Sequence, residues 1–166
     1  LIELTKGSLT LGNLIVEPFA VSHDAADPIG INVFAGKDKA TVVTDTGVIS
    51  DSILRRMDDT TLLVLEANYD PHMLRFGPYQ PFLKQRVASD EGHLSNEMAA
   101  QALLMMNRPD FMQVILAHRS ENNNNAVLVT QTIGKMLVDG GVRIGPEMKL
   151  QHGQPNEIVS MKSVKR

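Results

Sequence analysis

The sequence predicts an α/β domain in which strands and helices alternate through the middle of the chain. Three observations carry that reading. Fully apolar runs of strand length, "LLVL" (62–65) and "VILA" (114–117), recur. Between them lie segments with helix-start signals and helical spacing, such as Ser50 before Ile53, Leu54 and Met57. And 166 residues, 43% apolar and 21% charged, suffice for one domain with a sizeable core.

The chain opens at Leu1 directly in strand-like sequence, "LIELT", and a preceding region of the parent protein is expected. "SLTLGNLIVEPFAVS" (8–22) reads as short alternating strands broken at Gly12. "GINVFAG" and "KATVVTDTG" read as two more strands, joined by a hairpin turn around Lys37 and Asp38. "SDSILRRMDD" predicts a helix capped by Ser50, and "TLLVLEAN" a buried strand ending in Glu66. "PHMLRFGPY" and "PFLKQRVAS" predict short helices, each with proline in its first turn. "GHLSNEMAAQALLMMN" predicts a helix capped by Ser95, with Met98, Ala102 and Met105 along one face as core packing. The strand in "QVILAH" follows, then a helix in "NNAVLVTQTIGKMLVDGG" ended by paired glycines. "VRIGPEMKLQHG" and "NEIVSMKSV" are predicted edge strands.

Composition narrows the chemistry. No apolar run approaches the ~20 residues that span a bilayer, so no membrane partner is expected. Cysteine is absent, which excludes disulfides and thiolate ligands and points to the cytoplasm. Any metal must be held by His, Asp or Glu. The formal charge of −3 argues against a large basic nucleic-acid footprint. A local one remains open through Arg55 and Arg56, Lys84 and Arg86, and the tail cations Lys162, Lys165 and Arg166. The competing reading of all seven is solvated surface charge.

Polar residues recur at the ends of apolar segments. Val21-Ser22 leads to His23, Val43-Thr44 to Asp45, Leu65 to Glu66, and Ala117 to His118. Loops at strand ends carry chemistry because the sheet holds them rigidly. Two histidines and a carboxylate so delivered suit a divalent metal, Zn²⁺ being the usual choice. Each residue also has a plainer reading: His23 and His118 as hydrogen-bonded structural residues, Asp45 as a turn residue, Glu66 as a cap of the next helix.

"FAVSHDAADPIG", "VVTDTG", "VLEANYDPHML", "SDEGHLSNEMAAQAL" and "LAHRSENN" resemble, in order and spacing, the metallo-β-lactamase-fold hydrolases, and within them the YycJ/WalJ-type branch. The likeness runs from Leu1 to about Val159, and the same order is more distantly similar to ribonuclease Z and its related phosphodiesterases. It implies an αβ/βα sandwich of which this chain is mainly the C-terminal portion. It implies two divalent ions, zinc with Mn²⁺ or Fe²⁺ as alternatives, in a hydrolase of phosphodiester bonds that is DNA exonuclease-like. His23 then matches a ligand of one metal, Asp45 the bridging carboxylate and His118 a ligand of the other. His93 matches a proton donor to the leaving oxygen, and Glu66 the carboxylate that orients it. Ser95, Asn96 and Asn122 lie beside these positions and either contact substrate or serve as caps and turns.

Three departures from the family pattern stand out. His-x-His-x-Asp-His is absent from these residues, so the missing N-terminal half of the same domain is an expected partner. Tyr69 stands where the family usually shows histidine, and it titrates near pH ~10 rather than ~6.5. Arg119 stands where leucine is common, and its guanidinium either faces the cleft and holds phosphate or faces solvent. Nucleic acid is the expected substrate. A small or cyclic phosphodiester and an inactive, metal-free scaffold are the alternatives, and a homo-oligomer stays open.

Overall fold

The computed structural model describes residues 7–154 and 157–160. The strand expected at "LIELT" lies outside them. Among the described residues, seven strands form one sheet in sequence order: β1 (Leu9–Leu11), β2 (Leu14–Ala20), β3 (Ile29–Ala35), β4 (Asp38–Val43), β5 (Leu62–Glu66), β6 (Met112–Ala117) and β7 (Met148–His152). Neighbours are antiparallel from β1 to β4 and parallel from β4 to β7. The helices are α1 (Asp51–Met57), α2 (Pro71–Phe76), α3 (Pro81–Val87), α4 (Asn96–Met105) and α5 (Ala126–Asp139).

Local chemistry explains the boundaries. The β1–β2 and β3–β4 hairpins turn on two residues each, with Gly12 at φ 59° and Gly36 at φ 63°, a conformation glycine adopts without a Cβ clash. The second turn therefore centres on Gly36 and Lys37, one residue before the expected position, because Asp38 already pairs with Ala35. Ser50, Asp70, Ser95 and Asn125 cap α1, α2, α4 and α5 by accepting from backbone amides of the first turn. Gly140 closes α5, and Gly141 follows at φ 86°.

The sheet has two unlike faces. On one, Phe19, Val43, Leu63, Leu65, Met112, Val114, Leu116 and Met148 form the core with Ile53 and Met57 of α1, Leu103 of α4, and Val129, Ile133 and Leu137 of α5. The alternate residues, among them Val16, Ile31, Val42, Val64 and Ile115, line the opposite face, and none of these five belongs to the core. The expected sandwich is thus present as one sheet with its helices.

One expectation holds only in part, since Ala102 joins the core and Met98 packs against it but Met105 does not, and another fails among the described residues. α4 buries Asn96, Ala99, Ala100, Ala102 and Leu103, and Met105 is 68% exposed. The line Met98–Ala102–Met105 borders a shallow groove with Val48, Ile49 and Leu54, because α5 packs against the neighbouring side of the helix. In "NEIVSMKSV", residues 157–160 have no strand pairing, Ile158 is almost wholly exposed, and the remainder lies outside the described residues. No described helix is long and apolar enough to cross a membrane.

The topology collects strand ends. β4, β5 and β6 run parallel, and β2 runs the same way because two antiparallel steps separate it from β4. The C-terminal ends of all four therefore meet one edge, where open α/β sheets bind ligands.

Candidate metal centre and its cleft

His23, Asp45, Glu66 and His118 arrive at that edge from β2, β4, β5 and β6, and His93 comes from the loop between α3 and α4. The residues after β4 and β6 leave their strands sharply. Asp45 has φ 55° and His118 φ 52°, left-handed values that cost a non-glycine residue roughly 1–3 kcal/mol. The surroundings hold them there. The Thr46 amide donates to Glu66 Oε2 (3.0 Å), and the Gly47 amide to the Ser22 carbonyl (2.9 Å). The Asn68 amide group donates to the His118 carbonyl (2.9 Å).

Glu66 is fully buried and organises two histidines at once. Its Oε1 lies 2.7 Å from Nδ1 of His93 and 2.7 Å from Nδ1 of His118. Burial pushes its carboxyl up, but the hydrogen bonds from His118, His93 and Thr46 outweigh that and hold it below the usual range. An ionised carboxylate only accepts, so both Nδ1 atoms carry hydrogen. His23 follows the same rule, since its Nδ1 lies 3.0 Å from the Gly92 carbonyl oxygen. In their neutral forms all three rings therefore keep the Nε2 lone pair free. The Nε2 atoms of His118 and His23 lie 3.5 and 3.8 Å from one oxygen, Oδ1 of Asp45. The hydrogen bond to Glu66 raises the pKa of His118 against the lowering effect of its burial.

The donor set fits a borderline divalent cation. It offers imidazole nitrogens whose far sides are anchored, and a carboxylate that accepts no hydrogen bond among the described residues. His93 belongs to two possible ligand groups, one with His23 and Asp45 and one with Glu66 and His118. The second is already satisfied as N–H to carboxylate bonding and has no need of an ion.

A cleft of about 410 Å³ opens over these atoms. His23, Asp24, His93 and His118 line it with Tyr79, Arg86, Arg119 and Asn122. Asn122 is therefore exposed to the cleft. Ser95 and Asn96 are not. Ser95 is 4% exposed with its hydroxyl on the Met98 amide, and Asn96 is 0% exposed in a reciprocal amide pair with Asn124. Arg119 lines the cleft, whereas Tyr69 is buried beside Leu74 and Val87. Of the dispersed cations, Arg56 pairs with Glu17, Lys84 bonds the Arg75 carbonyl and Arg86 grips Asp24, while Lys162, Lys165 and Arg166 lie outside the described residues. Sequence reasoning missed Thr46, Asn68 and the Gly92 carbonyl. "TDTG" and "EANYD" carry the first two as ordinary turn residues, and a backbone carbonyl leaves no sequence signal.

The "Beta-lactamase superfamily domain" family matches residues 2–118 of this chain. The chain belongs to that superfamily. It is 34% identical over 146 residues to the exodeoxyribonuclease YycJ of Bacillus anthracis, covering 88% of this chain and 55% of that protein. The exodeoxyribonuclease WalJ of Streptococcus pneumoniae D39 is 33% identical over 147 residues, covering 89% and 55%. The chain thus spans 55% of the length of these curated relatives. The metallo-beta-lactamase fold protein YhfI from Bacillus subtilis superposes with a TM-score of 0.62, over 90% of this chain and 51% of that one, at 14% identity. That likeness shows the superfamily member to have the metallo-β-lactamase fold.

Proposed function

We propose that this chain is the C-terminal part of a cytoplasmic hydrolase that uses two divalent ions, zinc by the nature of its ligands, to cleave phosphodiester bonds in DNA. The observation that carries the reading is the convergence of His118 Nε2 and His23 Nε2 on one oxygen of Asp45, with both Nδ1 atoms fixed. The name exodeoxyribonuclease, borne by relatives about a third identical, supports the choice of substrate. His23 and His118 would each hold one ion and Asp45 would serve both. Further ligands would come from a segment outside these residues, one that also covers the open face of the sheet. When bound, such ions supply Lewis acidity toward phosphate oxygens and make water a nucleophile near neutral pH.

The chain's own residues do the rest. Glu66 accepts from His93 and His118, fixing the tautomer of the ligand and the orientation of the donor together. As the phosphorus–oxygen bond to the leaving group breaks, His93, entering the step with a proton on Nε2 as well, gives that proton to the oxygen and keeps its Nδ1 hydrogen on Glu66. Water then returns a proton to Nε2 of the imidazole. Asn122 and Arg119 line the wall where the strand would lie.

The test is zinc stoichiometry by mass spectrometry together with hydrolysis of a single-stranded oligodeoxynucleotide by the full-length protein. The expected result is two ions per chain and activity lost in Asp45→Ala. Wild-type activity in Asp45→Ala would overturn the proposal.

A further inference from the structure

We propose that α3, through Arg86 and the preceding Tyr79, forms a subsite for the nucleotide next to the scissile bond, with Asp24 as the residue that positions Arg86. The inference deepens the function just proposed and rests on it. It names the substrate as a polynucleotide strand and not a small diester.

Arg86 reaches across 62 positions of sequence to Asp24, which accepts from it twice, through Nε and through Nη2 (3.0 Å). Such a two-pronged grip fixes the guanidinium plane, where a lone arginine would lose rotamer freedom on binding. It does not exhaust the group. A guanidinium has five N–H donors, Asp24 takes two, and Nη1 has no partner among the described residues. The side chain is 61% exposed and lines the cleft. The same Asp24 oxygen that binds Nη2 lies 3.6 Å from Nε2 of His23. A preset cation with spare donors is therefore held one carboxylate away from a candidate metal ligand. That spacing suits a second phosphate beside the one being cleaved.

The rest of the wall suits a nucleoside. Leu83 and Arg86 lie one turn apart on α3, Tyr79 stands just before the helix, and all three line the cleft. Tyr79 packs with Leu83 against Leu74 and Val87, so its ring has a firm backing. Across the rim, the Asn122 amide comes 3.5 Å from the Tyr79 hydroxyl. An aromatic ring beside a phosphate-binding cation is how single strands are held without sequence readout. A small diester carries no second phosphate and gains nothing from Arg86.

The test uses the full-length, zinc-loaded protein with two substrates, a single-stranded oligodeoxynucleotide and bis(p-nitrophenyl) phosphate. Arg86→Gln should lower the kcat/KM preference for the oligonucleotide about tenfold, mostly through KM. The slope of log affinity against log salt should fall by about 0.7. Arg86→Lys should recover part of the affinity, and Tyr79→Leu, which leaves the Asp24 grip intact, should lower the same preference. Unchanged preference in both Arg86→Gln and Tyr79→Leu would overturn the subsite while leaving the hydrolase reading in place. So would equal losses on both substrates accompanied by loss of zinc, which would make Arg86 a support for His23. Failure of the wild-type protein to cleave either substrate would sink the hydrolase reading instead, and anisotropy binding of the oligonucleotide would still decide the subsite.

Discussion

Glu66→Gln is the sharpest probe of the centre, because it changes one atom at a fully buried position. The carboxylate accepts three N–H groups, from His93, His118 and Thr46. Glutamine has one oxygen and one NH₂ group, and neither orientation serves all three. With its oxygen toward the histidines, the NH₂ confronts the Thr46 amide, donor against donor, beside the strained Asp45. With its oxygen toward Thr46, the NH₂ confronts both Nδ1 atoms. Both rings must then move their hydrogen to Nε2, which removes the lone pairs that face Asp45. A buried donor left unpaired costs about 1–3 kcal/mol, and loss of the charge-assisted part of the other bonds adds about 1 more. A total near ~3 kcal/mol lowers Tm by roughly 6–12 °C in a domain of this size. The assay is thermal unfolding in chelator, followed by zinc titration calorimetry. A variant that melts within about 2 °C of wild type and binds zinc within about threefold of it would refute the shared-carboxylate argument.

Other perturbations test the frame. Asn68→Ala removes the donor to the His118 carbonyl and should cost about 1–2 kcal/mol in chemical denaturation, with weaker zinc binding. Gly92→Ala drives a Cβ into the carbonyl oxygens of Arg86 and Val87, so the loop that holds His23 and His93 must shift; reduced solubility or a Tm lower by several degrees is expected. Met105→Gln should stay within about 0.5 kcal/mol of wild type, because the side chain is mostly exposed. His152 supplies a pH dependence. Thr130 already donates to the Ala126 carbonyl, so its hydroxyl accepts from His152 Nε2 (2.8 Å), which leaves Nδ1 buried without a partner among the described residues. Burial, then the charge of Arg119, lowers the His152 pKa. The unfolded chain thus binds the proton more readily. This contribution to stability is whole above the unfolded value near ~6.5 and lost as pH falls through the lower folded value. His152→Gln should flatten that slope in denaturation measured from pH 7.5 to 5.5.

How much of this was readable beforehand follows from the range of each interaction. Strand and helix identities depend on period and caps within a few residues, so Ser50, Ser95 and the paired glycines after α5 announce their elements. The tips of β2, β4, β5 and β6 were legible for the same reason. A polar residue ending an apolar run is a local signal, and parallel strands then bring such residues to one edge. What sequence could not rank was Ser95 and Asn96 against Asn122. All are small polar residues beside the site, and only the packing of α4 against α5 determines which are buried. The same limit hid the outward turn of Met105, since its helix has an apolar residue on almost every side and no single stripe marks the core.

The supporting bonds were the least legible, and they fix the chemistry. Glu66 joins residues 27 and 52 positions away through a single oxygen, and Asp24 joins Arg86 across 62. No local pattern encodes such pairs, because each depends on where two loops come to rest. Yet Glu66 decides which nitrogen of His118 is free, and so whether that residue can be a ligand at all. The residue types at the tips name the class of site. The bonds behind them, with Asp45 and His118 held at left-handed angles, determine what each side chain presents to the cleft.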